Sequence, residues 1–147
     1  MSLWTALAGV ADADTAYLRQ STLFAALSDR ERGHLHRTMH ERYYMAGATV
    51  FQKGDPGLGL YVIRNGEVVV VEEPTDRIVH TLGPGACFGE IALLHEAVRS
   101  ATIRAKTDTH VSVLAQPSLH KMVEQRPRLA AKLLWAIAQA TGERLIA

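Results

Sequence analysis

This 147-residue sequence has one cysteine, two tryptophans and little aromatic content of any kind (6%). A lone Cys87 cannot form an internal disulfide, so this is not a disulfide scaffold, and a reducing, cytoplasmic setting is expected. Neither sign of charge is in excess: 16 Lys and Arg stand against 15 Asp and Glu. That balance supplies no electrostatic footprint for nucleic acid or an anionic membrane, so no DNA binding and no membrane binding are expected of this chain. No apolar run reaches the roughly 18 residues of a membrane span. The N-terminus lacks the basic segment and long apolar core of a signal peptide, and Asp12 and Asp14 interrupt it early. Internal repeats and low-complexity tracts are missing. So is any recognisable nucleophile elbow, and the chain is not expected to be an enzyme.

What is present reads as one domain over residues 1–147, with 48% hydrophobic and 21% charged residues. Leu3, Leu7, Val10 and Leu18 fall near helical spacing and predict a helix over 2–19. Ser21 to Leu27 breaks it. Ser28-Asp29-Arg30-Glu31 is a capping-box pattern, predicting a helix to about His40 with Leu35 and Met39 on its inner face.

After Glu41 short β-type runs take over: Tyr43-Tyr44, Thr49–Phe51, Leu60–Ile63, Val68–Val71 and Ile78–Leu82, then Ala101–Arg104 and Val111–Leu114. Turns are expected at Gly54-Asp55-Pro56-Gly57 and Pro74-Thr75-Asp76. Asn65-Gly66 is the strongest hairpin signal, a type I′ dipeptide in which both residues need positive φ. Strands this short and evenly spaced imply a small antiparallel barrel or sandwich, because the turns leave no room for crossover helices. Gln116-Pro117-Ser118 opens a helix to about Gln125, and Pro127 marks the boundary of a last one carrying Leu129, Leu133, Leu134, Ile137 and Leu145.

One stretch carries chemistry. Gly85-Ala86-Cys87-Phe88-Gly89-Glu90-Ile91-Ala92-Leu93-Leu94 combines a glycine-bracketed turn with a short apolar run, and Arg99-Ser100-Ala101-Thr102 follows. Helix-start amides and a returning guanidinium can together hold a phosphate. Glu90 fits beside a phosphate only if a hydroxyl needs an acceptor there, since an ionised carboxylate only accepts.

The ordered string Phe88-Gly89-Glu90-Ile91-Ala92-Leu93-Leu94, four residues, then Arg99-Ser100-Ala101-Thr102 resembles the phosphate-binding cassette of cyclic nucleotide-binding domains. Leu60-Tyr61-Val62-Ile63 and Asn65-Gly66-Glu67-Val68 resemble that family's first hairpins. The resemblance implies an α+β, mainly β fold: an eight-stranded antiparallel β-roll of jelly-roll type over 41–115. N-terminal helices over 2–40, a short helix inside the cassette at 85–102 and two C-terminal helices over 116–147 complete it.

Residue by residue, the resemblance implies that Arg99 binds the exocyclic phosphate oxygens and that Glu90 accepts the ribose 2′-hydroxyl. Backbone amides around Gly89, Glu90, Ile91 and Ala92 would meet the phosphate. Ser100 could add a donor, and Val70 and Val79 would line the sugar and base pocket. Many members have Pro before the Arg, where this chain has Val98. The expected ligand is cAMP, with cGMP second, and no cofactor or metal is implied.

Blander readings stand beside these. Glu90 and Arg99 could be a structural ion pair, or the domain could keep the fold without the ligand and act as a protein-interaction module. His36 and His40, at i, i+4 on the expected helix, could suit a metal but lack a third ligand. Cys87 reads as a small packing residue. Trp135 packs on the barrel or a partner subunit, or else stacks on the purine, where Arg144 could also reach. Lys132 and Arg128 read as solvated. The stripe Leu129, Leu133, Ala136, Ala140 could join a homodimer or suit the core, and the domain could equally be attached to an effector.

Overall fold

The computed structural model describes residues 14–57, 59–95 and 98–146. Most of the helix expected over 2–19 lies outside them. Its described end is α1 (Ala16–Gln20), followed by the expected break, which buries Leu23, Phe24 and Leu27.

The capping box opens α2 (Asp29–Thr38): Glu31 N–H donates to Ser28 Oγ at 3.1 Å, and Ser28 N–H donates to Glu31 Oε1 at 2.9 Å. Such a box satisfies two helix-start donors that would otherwise lack partners. Buried Arg32 ties the preceding break to this helix, donating to the carbonyls of Leu27 and Phe24 and pairing with Asp29 at 2.6 Å.

The helix stops earlier than the sequence suggested. Met39 turns extended and buries its side chain, and His40 opens β1 opposite Val113. His36 and His40 therefore do not share a helix face, and His36 Nδ1 lies 2.8 Å from the Tyr17 hydroxyl. The metal reading loses its geometry.

Eight strands follow: β1 (His40–Tyr44), β2 (Thr49–Phe51), β3 (Gly59–Asn65), β4 (Val68–Glu72), β5 (Arg77–Leu82), β6 (Cys87–Phe88), β7 (Thr102–Ala105) and β8 (Thr109–Ala115). They form two four-stranded antiparallel sheets, ordered β1-β8-β3-β6 and β2-β7-β4-β5. This is the expected β-roll. Strand β6 lies where the sequence suggests only a turn.

Asn65-Gly66 is not a hairpin. β3 pairs with β8 and β6, β4 pairs with β5 and β7, and the chain changes sheets between β3 and β4. Only Gly66 has positive φ (89°), and Asn65 continues the strand opposite His110. Gly66 is needed because a Cβ would strike Asp108 O. The crossing is held on the loop before β8: Glu67 N–H donates to Thr107 Oγ1 at 3.0 Å, and Lys106 N–H donates to Glu67 O at 2.8 Å. The hairpin the sequence placed there belongs instead to β4 and β5, across the turn that holds Asp76 at φ 56°.

After the four-residue α3 (Ile91–Leu94), two helices close the chain as expected, α4 (Gln116–Gln125) and α5 (Pro127–Ile146). Among the described residues no helix is long and apolar enough to cross a membrane.

Two cores explain the packing. Leu60, Val62 and Leu114 face the helices, packing with Phe24, Leu35, Leu119, Met122, Leu133 and Ile137. Ile63, Val68, Phe88, Ile103 and Val111 form the second core, against which Phe51, Tyr61 and Val70 pack. β3 thus buries both its faces, and its alternate residues serve different cores. Each fully buried aliphatic side chain contributes about 1.5–3 kcal/mol of transfer free energy.

Leu129 and Leu133 are buried in the chain's own core, with Ala136 and Ala140 packed beside it. The stripe on α5 is therefore core. Trp135 points away and is 68% exposed, so it does not pack on the barrel. Lys132 is not simply solvated: its ammonium bonds Glu31 on α2 at 2.8 Å.

Candidate functional site

The cassette is built where β6 ends. β6 pairs with β3 (Tyr61 opposite Phe88, Val62 opposite Cys87), which fixes where Gly89 turns the chain. Gly89 takes φ +80°, and a Cβ there would collide with Arg99 Nη1. The positive φ calls for glycine, and a Cβ would in addition push the end of the Arg99 side chain from its place. The chain then forms α3, with Ala92 N–H donating to Gly89 O at 3.2 Å and Leu93 N–H to Glu90 O at 3.1 Å. The Ala92 amide, expected to meet an anion, already has this long internal bond.

Arg99 returns to the same place. Its backbone is clamped by the turn predicted at 54–57: Arg99 N–H donates to Asp55 O at 2.7 Å, and Gly54 N–H donates to Arg99 O at 2.8 Å. Its guanidinium reaches inward, Nη2 donating to Gly59 O at 3.0 Å and Nη1 to Gly89 O at 3.4 Å. Cζ lies 4.2 Å from the Phe51 ring centroid and 5.5 Å from that of Tyr61. Arg99 is 7% exposed and Glu90 4%. Burial pushes the Arg99 pKa down, and the nearby Tyr61 hydroxyl opposes that shift.

Among the described residues Arg99 has no carboxylate partner, and its Nε–H is buried without an acceptor. Removing a cation from water costs several kcal/mol unless it is paired. Carbonyl dipoles and aromatic faces offset part of that cost but leave the positive charge in place. An anion is the species that would complete the site. The Glu90–Arg99 ion pair considered from the sequence is not formed.

The other expected residues fall around this centre. Ile91 lies in α3 and Ala92 is buried. Ser100 is exposed just beyond the guanidinium-bearing residue. Val98 is exposed and bridges to Pro56. β7 begins at Thr102, three residues after Arg99, and pairs Val71 with Thr102, so Val70 on β4 stands beside the cassette's exit. Val79 lies on the edge strand β5, where the register shifts between Val70 and Val71; it is 39% exposed. Arg144's side chain lies outside the described residues.

Cys87 packs with its Sγ 3.0 Å from Ser21 Oγ, and burial raises its pKa to about 11. It is a half-buried thiol packed against the core beside the site, as the packing reading expected.

Sequence reasoning missed Gly59, Phe51 and Tyr61. Gly59 offers its carbonyl, and a Cβ on it would strike Leu114 O. Phe51 and Tyr61 read only as strand residues; nothing local marks a ring as the floor of a cation. Cavities of about 460 and 320 Å³ lie elsewhere, the first where α2 meets the α4–α5 junction and the second beside Tyr43 and His110. The buried Arg99 and Glu90 locate this site.

Two stacked sheets flanked by helices, with a cation and a carboxylate buried at a glycine turn, are the architecture of a ligand-binding module. Residues 41–126 match the model of the cyclic nucleotide-binding domain. The chain belongs to the cyclic nucleotide-binding domain family, whose members are regulatory domains. It is 33% identical over 106 residues to a cAMP-dependent protein kinase regulatory subunit of Schizosaccharomyces pombe, covering 72% of this chain and 26% of that one. It superimposes on the N-terminal domain of a transcriptional regulator from Streptomyces coelicolor A3(2) with a TM-score of 0.79 and 34% identity, covering 87% of this chain and 92% of that one. The regulatory domain of Toxoplasma gondii PKA, solved with cAMP, gives a TM-score of 0.67 at 30% identity, over 77% and 44% of the two chains. The chain spans 26% to 30% of the length of the curated relatives it matches.

Proposed function

We propose that this chain is a single, non-catalytic, cytoplasmic sensor domain that binds cAMP in preference to cGMP. The observation that carries the reading is Arg99, a buried cation held on two carbonyls and two rings, with no carboxylate paired to it among the described residues. Arg99 takes the exocyclic phosphate oxygens. Glu90 takes the ribose 2′-hydroxyl, the one ribose hydroxyl a 3′,5′-cyclic nucleotide leaves free. The Gly89–Ala92 backbone, Ser100, Val70 and Val79 complete the surroundings, and no metal or cofactor is needed. The preference for cAMP is supported by the two relatives named for cAMP.

A ligand moves a protein only by binding one state better than another. α4 and α5 follow β8 directly, and α3 packs against α4, so cassette closure is read out through 116–147. The output passes to an attached effector or to a second copy. A second copy would use the face of α5 that carries Trp135, because the Leu129–Leu133 stripe is already covered.

Calorimetric titration with cAMP and cGMP side by side tests the ligand. Binding of cAMP with weaker cGMP is expected, and Arg99→Leu should weaken cAMP at least about tenfold, as loss of a buried charge partner does. Unchanged affinity in that variant would sink the assignment. Binding of neither nucleotide would leave the interaction-module reading. Amide exchange of 116–147 that is identical with and without saturating cAMP would rule out the coupling.

A further inference from the structure

We propose that Phe51 is a positioning residue for the ligand: its ring face holds the Arg99 guanidinium in place for the phosphate, and this rests on the cAMP reading above. The guanidinium carbon lies 4.2 Å from the Phe51 centroid, in a site where Arg99 is 7% exposed. A cation over a ring face is attracted by the ring quadrupole, and more strongly when water is excluded.

The choice of partner matters. A carboxylate beneath Arg99 would take its N–H groups and cancel its charge, closing the site to anions. A ring face stabilises the cation while engaging none of the in-plane donors. Of the five N–H groups, Nη2 gives one to Gly59 O and Nη1 one to Gly89 O. The Tyr61 hydroxyl also lies within hydrogen-bonding reach of the guanidinium, and the N–H groups that remain are left for an incoming phosphate.

The ring is itself held. Phe51 meets Tyr61 edge-on at 5.6 Å and Phe88 at a 55° tilt and 5.7 Å, while Tyr61 stacks on Phe88 at 5.0 Å. Phe51 comes from β2 in one sheet, and Tyr61 and Phe88 come from β3 and β6 in the other. The platform therefore spans both sheets, and Phe88 is the residue immediately before the Gly89 turn. A long, flexible side chain ordered before the ligand arrives loses less freedom on binding.

Two readouts separate a ring-face role from packing. In calorimetry, Phe51→Leu keeps an apolar side chain without the π-face and should weaken cAMP about tenfold, whereas Phe51→Tyr should bind within about threefold of wild type. In the free protein, the Arg99 Nε–H proton should be shifted upfield by the ring current and should move back toward the position of free arginine in Phe51→Leu. Equal cAMP affinity in wild type and Phe51→Leu would overturn the proposal. So would equal losses in the Leu and Tyr variants, which mark packing alone. If Phe51→Leu does not fold, Phe51→Tyr and the wild-type proton shift still decide it. A wild-type protein with the upfield proton but no cyclic nucleotide binding would instead remove the reading on which the proposal rests.

Discussion

One oxygen of Glu31 joins two distant parts of the chain, accepting from the Ser28 amide at 2.9 Å and from the Lys132 ammonium at 2.8 Å. The first bond caps α2; the second ties α2 to α5, across 101 residues of sequence. Lys132 first, and then the Ser28 backbone, hold the Glu31 carboxyl below its ordinary 4.5. A carboxyl depressed in the folded state adds stability above its unfolded pKa and loses it as pH falls through the folded one. Glu31→Ala should cost about 1–2 kcal/mol at neutral pH in urea melts, and should flatten the loss of stability seen as the wild type is taken below pH 4.5. Lys132→Ala, which leaves the cap, should cost about 0.5 kcal/mol or less.

Gly89 is the position where backbone and ligand chemistry meet. Gly89→Ala puts a Cβ on a residue at φ +80° and into Arg99 Nη1. Loss of about 1–3 kcal/mol of stability is expected. cAMP affinity should fall at least about tenfold, because the guanidinium must leave the Gly89 carbonyl. Wild-type affinity in this variant would show that the observed Arg99 position is not the one that binds.

Glu90 makes a prediction about the ligand rather than the protein. Wild type should bind 2′-deoxy-cAMP about tenfold or more weakly than cAMP, the scale of a lost hydrogen bond to a charged group. In Glu90→Ala the two ligands should bind alike. Persisting discrimination would move the 2′-hydroxyl contact to another residue.

Trp135 is 68% exposed on α5. Trp135→Ala should therefore leave the thermal midpoint of the free protein within about 2 °C, as a surface substitution does. If cAMP draws α5 over the base, the same variant should lose part of the ligand-induced rise in midpoint while keeping its own.

The β-roll itself is what the family resemblance implies. A small antiparallel barrel or sandwich is legible because the strands are short, β-branched and separated by Gly, Pro and Asp, and the capping box is legible because Ser28 and Glu31 act across three residues. These are local rules, and they survived. Asn65-Gly66 misled for a non-local reason: the best hairpin dipeptide in the chain lies where β3 and β4 belong to different sheets, and the loop before β8 gives the crossing its hydrogen bonds. His40 was lost to a strand because pairing with Val113 outweighed one more helical turn. Lys132 read as solvated because its partner is 101 residues away.

The same division runs through the site. By itself the sequence determined the order of elements, the glycine turn, and the presence of a carboxylate and a guanidinium at Glu90 and Arg99. Those features depend on residue type and near spacing. The tertiary structure alone decided what surrounds the guanidinium: the Gly59 carbonyl from β3, the Gly89 carbonyl from the cassette, and the ring of Phe51 from the opposite sheet. A buried cation takes its character from its neighbours in space, and those neighbours are brought together only when the two sheets close on each other.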